Sequence, residues 1–141
     1  LIEKYKHRND AVNYMLEHDP IVPLIVADEV QLRQVFENII LNALEAMGER
    51  GTITIHIARH GALLLFSFAD SGPGIPAEIQ EKIFEPFYST KHQGTGLGLA
   101  TCRVIIEHHG GSIDVSSEAG KGTTFLIMLP VRHSASRTNH T

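Results

Sequence analysis

The chain has 141 residues, 43% of them apolar and 20% charged, which is the size and composition of one globular domain. Twelve Lys and Arg against sixteen Asp and Glu leave a net charge of −4, so no basic field exists to hold nucleic acid, and a single cysteine excludes an internal disulfide. The most apolar stretch, Ala62 to Ala69, is far shorter than the roughly 20 residues a membrane helix needs, so a cytoplasmic domain without direct membrane contact is expected.

The first eight residues, LIEKYKHR, are too few for a domain and read as the stub of a preceding helix. Asn9 to Asp19 partly alternates, and the β-branched run Pro20 to Val26 is bounded by prolines; both are expected to be short strands. From Asp28 to Met47 the period becomes helical, with Leu32, Val35, Phe36, Ile39, Ile40, Ala43 and Met47 on one face and Asp28 placed to cap the start. Residues 52–59 and 63–70 form a predicted hairpin around His60 and Gly61. The second strand runs into the turn cluster Asp70-Ser71-Gly72-Pro73-Gly74, and residues 76–84 then carry the proline-first signature of a short helix. A loop rich in glycine and small polar residues covers 87–98, a second long helix spans 99–109 and stops at Gly110 and Gly111, and residues 112–117 and 123–130 make a closing hairpin. Residues 131–141 read as a disordered polar tail. Helices interleaved with hairpins predict an α+β fold, a two-layer sandwich with helices on one face of a mixed, mostly antiparallel sheet.

Three groups of residues on that frame can do chemistry. Asn38 and Asn42 lie one helical turn apart at the edge of the apolar stripe, and an asparagine offers a neutral oxygen for Mg²⁺ and an amide donor for phosphate. Taken singly, two such asparagines fit a polar helix surface better than a site. Asp70 ends an apolar strand just before Gly72-Pro73-Gly74, where a carboxylate can accept from an exocyclic amine and glycine lets the backbone approach a flat base; ordinary turn chemistry explains the same residues equally well. Gly94-Thr95-Gly96-Leu97-Gly98-Leu99 places alternating glycines directly before a helix N-terminus, a favourable position for phosphate. A Walker loop is excluded there because no Gly-Lys-Ser/Thr follows. The loose dinucleotide match at Gly72 to Ala77 is rejected because no second parallel strand follows with the acidic residue that motif requires.

Taken together the groups form a specific series. Asn38-x-x-x-Asn42-Ala43, Asp70-Ser71-Gly72-Pro73-Gly74-Ile75, Phe84-Glu85-Pro86-Phe87, Gly94-Thr95-Gly96-Leu97-Gly98-Leu99 and Gly120-Lys121-Gly122-Thr123-Thr124-Phe125 resemble, in order, the N, G1, F and G2 boxes and final strand of the catalytic ATP-binding domain of bacterial sensor histidine kinases. The resemblance covers about residues 9–130, and its wording is most similar to the nitrogen-regulation, oxygen-sensing and sporulation kinases. It implies a Bergerat-type ATP-binding sandwich with a lid over 85–96. Asn42 would hold Mg²⁺, Asn38 would contact phosphate, and Asp70 would bind the adenine amine beside Gly72, Gly74 and Ile75. Thr95, Gly96, Leu97, Gly98 and Leu99 would present the phosphate-binding turn, and the Thr123 side chain would support Asp70. Phe84 and Phe87 would pin the lid, and Lys91 would reach the terminal phosphates, although a solvated loop charge explains Lys91 nearly as well.

The ATPases of this fold are similar to one another in carrying a water-activating glutamate four residues before the Mg²⁺ asparagine, where this chain has Asn38; Glu37 is turned about 100° away. Little intrinsic hydrolysis is therefore expected. None of the nine histidines fits a phosphoacceptor: His18 is followed by Pro20 and Pro23, which break the helix an acceptor needs. His108 and His109 end a helix, where a cationic side chain suits the dipole. The resemblance thus implies partners outside the chain: a histidine-bearing dimerisation domain, of which residues 1–8 would be the end of the second helix, and a response regulator. It also implies a monomeric isolated domain within a dimeric parent. The competing readings are a nucleotide-gated binding module without transfer activity and a serine kinase of the anti-sigma type.

Overall fold

The computed structural model describes residues 11–20, 23, 25–86 and 98–131. Strand β1 (Val12–His18) is followed by helix α1 (Glu29–Ala46) and a hairpin of β2 (Gly51–His60) and β3 (Leu63–Asp70). Helix α2 (Ala77–Gln80) leads into a 3-10 turn at Lys82–Phe84, and helix α3 (Gly98–His108) precedes the closing hairpin of β4 (Ser112–Glu118) and β5 (Gly122–Pro130). Asp28 caps α1 as its position foretold, its side chain accepting from the Gln31 N–H at 3.0 Å. That bond satisfies one of the four donors a helix start leaves open.

The five strands lie in the order β1-β2-β3-β5-β4, with β1 parallel to β2 and every other pair antiparallel. A parallel neighbour needs a crossover, and α1 supplies it between β1 and β2. Alternate residues of the strands turn one way: Ile53 and Ile55, Leu64, Phe66 and Phe68, and Phe125, Ile127 and Leu129 are all buried. Against them lie Val35, Ile39, Ile40 and Leu44 of α1 and Cys102, Ile105 and Ile106 of α3. Each such burial contributes about 1.5–3 kcal/mol, so the helical layer is held to this one face of the sheet by the hydrophobic effect. Phe36 of α1 locks the layers together, its ring centroid 5.2 Å from that of Phe66 and 5.4 Å from that of Phe68. The sheet's other face, with Thr54, Leu65, Leu126 and Met128, is only half-buried.

Two expectations need correction. Pro23, Ile25 and Val26 belong to no strand; a proline has no N–H for a ladder, and Ile25 and Ala27 instead pack singly against the core while Val26 points outward. The segment 76–84 is not one helix: α2 stops after four residues and the chain tightens to a 3-10 turn, which buries Ile83 and Phe84. The expected stub at 1–8, most of the lid and the tail beyond Val131 lie outside the described residues.

Candidate nucleotide site

Helix α1 carries the two asparagines to the start of α3. Asn38 donates from Nδ2 to the Gly98 carbonyl at 3.4 Å and to Cys102 Sγ at 3.6 Å, and Asn42 donates from Nδ2 to the Asn38 carbonyl one turn back at 3.0 Å. Both side chains are half-buried, and both spend the amide nitrogen on the protein. Gly98 faces Asn38 directly, since a Cβ placed there would lie 3.7 Å from the Asn38 amide carbon. The start of α3 therefore sits beside the α1 asparagines, and the N–H groups that a helix start leaves without intrahelical partners, at the positive end of its dipole, suit an anion.

At the far end of α1 the base-like end of the site is built almost wholly from backbone. Asp70 closes β3 with Oδ1 accepting from the Gly72 N–H at 2.9 Å and the Thr123 N–H at 3.3 Å. Burial pushes its carboxyl above the usual value of 3.8, against the lowering pull of those two bonds. With Oδ1 occupied, Oδ2 is the oxygen left for a ligand. The turn after Asp70 interlocks with the β4–β5 turn: the Gly120 N–H donates to the Pro73 carbonyl at 2.7 Å, and a Cβ on Gly74 would come within 2.4 Å of the Glu118 carbonyl oxygen. Gly74 also has φ of +83°, so both its space and its backbone demand glycine. Gly72 lies over the end of α1, where a Cβ would meet Met47 Cγ at 3.4 Å. From Asn42 to Met47 is about 7 Å along the helix axis and from Asn38 about 13 Å. The two ends thus suit a single elongated ligand, its flat group at Asp70 and its charged group at the start of α3.

The Thr123 side chain does not support Asp70: its backbone N–H does so, and its hydroxyl pairs with Ser117 Oγ at 2.9 Å. Sequence reasoning missed Ser117 and Gln80. Ser117 Oγ accepts from the Ile75 N–H at 2.6 Å and donates to the Gly122 carbonyl at 3.0 Å, while Gln80 Nε2 donates to the carbonyls of both Ile75 and Ser117. The only signal for Ser117 was its place opposite Thr123 across the closing hairpin; Gln80 had none. Phe84 is buried edge-on to Phe125 with the Arg103 guanidinium 5.2 Å above its ring, which makes it a packing residue. Leu99 packs against the core behind the first turn of α3. Phe87, Lys91, Thr95, Gly96 and Leu97 lie outside the described residues.

Two other groups are explained by packing. Burial pushes the Cys102 thiol up to about 11, and it donates to the Val35 carbonyl in the core. His109 joins the end of α3 to the start of α1: its Nδ1 lies 2.8 Å from the Ile105 carbonyl and its Nε2 accepts from the Asp28 N–H at 3.0 Å. For Mg²⁺, the donor set fits in one respect that the structure shows. The Asn42 nitrogen is already engaged, which orients its oxygen as a hard, neutral ligand, and one or two protein oxygens beside substrate phosphates is the usual way this ion is held. No group of three or more His, Cys, Asp or Glu able to hold a metal occurs among the described residues.

The chain is similar to known proteins in both sequence and fold. Residues 27–133 match the family described as histidine kinase-, DNA gyrase B- and HSP90-like ATPases. The sensor histidine kinase ZraS of Escherichia coli K12 is 47% identical over 110 residues, 78% of this chain and 24% of that protein. Sporulation kinase C of Bacillus subtilis 168 is 47% identical over 109 residues, 77% of this chain and 26% of that protein. The chain thus spans about a quarter of the length of the curated relatives it matches. Among solved structures, the nucleotide-free catalytic domain of the histidine kinase ThkA is similar with a TM-score of 0.81 at 40% identity, covering 92% of this chain and 86% of that one. ThkA in complex with the response regulator TrrA is similar with a TM-score of 0.77 at 34% identity, covering 93% of this chain and 37% of that one.

Proposed function

Since this chain belongs to the histidine kinase-, DNA gyrase B- and HSP90-like ATPase family, as a histidine kinase catalytic ATP-binding domain, we propose that it transfers the γ-phosphoryl group of Mg-ATP to a histidine on a dimerisation domain elsewhere in its parent. From there the group passes to a response-regulator aspartate. The observation that carries this reading is Asn38. A hydrolase needs a base at that position to activate water; here the side chain is a neutral amide tied to Gly98 and Cys102, with no basic lone pair to take a proton from water. An imidazole nucleophile brings its own lone pair and needs no strong base, so positioning and charge neutralisation suffice.

Each residue then has a task. Asp70 Oδ2 accepts from the adenine amine, and Gly72, Gly74 and Ile75 line the base. Asn42 presents its oxygen to Mg²⁺, whose contribution when bound is to neutralise phosphate charge. Thr95, Gly96, Leu97 and Gly98 and the first N–H groups of α3 hold the phosphates, Asn38 joins them by turning its amide proton from Cys102 Sγ to a phosphate oxygen, and Lys91 supplies a cation to the terminal one. In the transfer, the bond from the γ-phosphorus to the bridging oxygen breaks, ADP leaves with that electron pair, and a phosphorus–nitrogen bond forms. The imidazole proton is released to solvent. The domain works in the cytoplasm within a dimeric parent and is itself monomeric.

The test is to mix this domain with the separately produced acceptor hairpin of its parent and γ-labelled ATP. Label on the hairpin that is lost in acid and kept in base is the expected result. Nucleotide binding without label would favour a binding switch, and acid-stable label a serine kinase; either result refutes the proposal.

A further inference from the structure

The last three inward positions beside the candidate base pocket, Asp70 on β3, Thr123 on β5 and Ser117 on β4, form a row across adjacent strands, with Ser117 paired directly to Thr123. The hydroxyls in that row have a determined direction. Ser117 has one proton, and the Gly122 carbonyl at 3.0 Å can only accept, so the proton goes there. The Ile75 N–H at 2.6 Å can only donate, so it fills one acceptor site on Ser117 Oγ. Thr123, 2.9 Å away, must then donate its own proton to Ser117, leaving only lone pairs on its oxygen. Asp70 Oδ2 is also an acceptor when ionised. The polar row at the base pocket therefore offers acceptors and no hydroxyl donor.

A second set of bonds fixes the loop that carries this row. Gln80 Nε2 divides its two protons between the Ile75 carbonyl at 3.0 Å and the Ser117 carbonyl at 2.9 Å. Ile75 is thereby held at both its N–H and its C=O by side chains from two different elements, and Gln80 ties α2 to β4. Among the described residues no buried side-chain nitrogen or oxygen is without a partner, so the network has no slack donor that could reverse its direction.

From this we infer that Ser117 and Gln80 are positioning residues for nucleotide recognition, with distinct roles. Ser117 sets the direction of the hydroxyl relay and so selects a base with an exocyclic amine against one with an oxo group. Gln80 sets only the position of the Gly74–Ile75 loop. The inference rests on the reading of Asp70 as the adenine contact.

ADP and inosine diphosphate are the probes, because they differ by exchange of the 6-amino donor for a 6-oxo acceptor. Affinities are measured by calorimetry for the wild type and for Asp70→Asn, Ser117→Ala, Ser117→Thr and Gln80→Met, with the melting temperature of each protein without ligand. Ser117→Ala frees the Thr123 proton to turn toward the pocket, so ADP affinity falls about tenfold while the preference for ADP over inosine diphosphate narrows at least about threefold. Ser117→Thr restores both. Gln80→Met, which leaves the hydroxyl relay whole, lowers the two affinities by the same factor. A merely structural Ser117 would weaken both ligands equally, and an unchanged preference in Ser117→Ala, or a changed one in Gln80→Met, overturns the inference. If the wild type binds neither probe, or Asp70→Asn binds ADP as well as the wild type, the adenine reading itself has failed.

Discussion

Asp70→Asn separates the fold of the base pocket from its function. In the wild type Oδ1 holds the Gly72 and Thr123 N–H groups at 2.9 and 3.3 Å, and an asparagine can keep both bonds with its own Oδ1. The change then falls on the other atom, where the oxygen meant for the adenine amine becomes an NH₂ group facing another donor. A hydrogen bond to a charged group contributes about 1.5–3 kcal/mol, so ADP affinity should fall by a factor of about 10 to 150. Inosine diphosphate should lose much less, because its 6-oxo group can accept from the new amide. Stability should barely change, since burial already disfavours the ionised carboxyl. Calorimetry with both nucleotides and a melting curve without ligand measure all three quantities. ADP affinity within a factor of about two of the wild type, with the melting curve unmoved, would refute the assignment of Oδ2 to the base.

Asn42→Ala should weaken ATP about tenfold in the presence of Mg²⁺ and leave Mg-free ADP nearly unchanged, as calorimetry with and without chelator will show. The pH dependence follows from the raised Asp70 carboxyl. Bound adenine needs the ionised form, so ADP affinity should decline as pH is lowered through that raised value, a limb missing from Asp70→Asn. The same carboxyl's contribution to stability has the opposite sense: it is fully present below 3.8 and is lost as pH rises through the folded value, which acid melting curves of the two proteins will compare. His109→Ala removes the acceptor of the Asp28 N–H and should cost about 1 kcal/mol, on the order of 4 °C in melting temperature, without altering nucleotide affinity.

What the sequence disclosed and what it hid have a common physical origin. Both hairpins and both long helices were legible because their apolar residues recur at the period of the element, and Asp28 was legible as a cap because its side chain bonds locally. The Pro20–Val26 segment misled because β-branched composition reads as strand wherever it occurs, whereas a ladder needs N–H groups that proline lacks. The order of the site's boxes is visible along the chain, yet the sequence points to the Thr123 side chain as the support of Asp70 and the backbone provides it. Ser117 and Gln80 stayed hidden for the same reason. They act on main-chain groups of Ile75, Gly122 and Ser117 itself, and a sequence does not display which main-chain groups need a partner.

Helix α3 is fastened unequally at its two ends. Its last turn is pinned by the Gly111 N–H on the Ile106 carbonyl at 2.9 Å and by His109, which bridges to the cap of α1. Its first turn is packed on the core through Leu99 and is hydrogen-bonded to α1 by the Asn38 amide on the Gly98 carbonyl at 3.4 Å, at the long end of such bonds. The shorter hydrogen bonds thus hold the end of α3 remote from the candidate phosphate position, and the longer one holds the end that offers its N–H groups there.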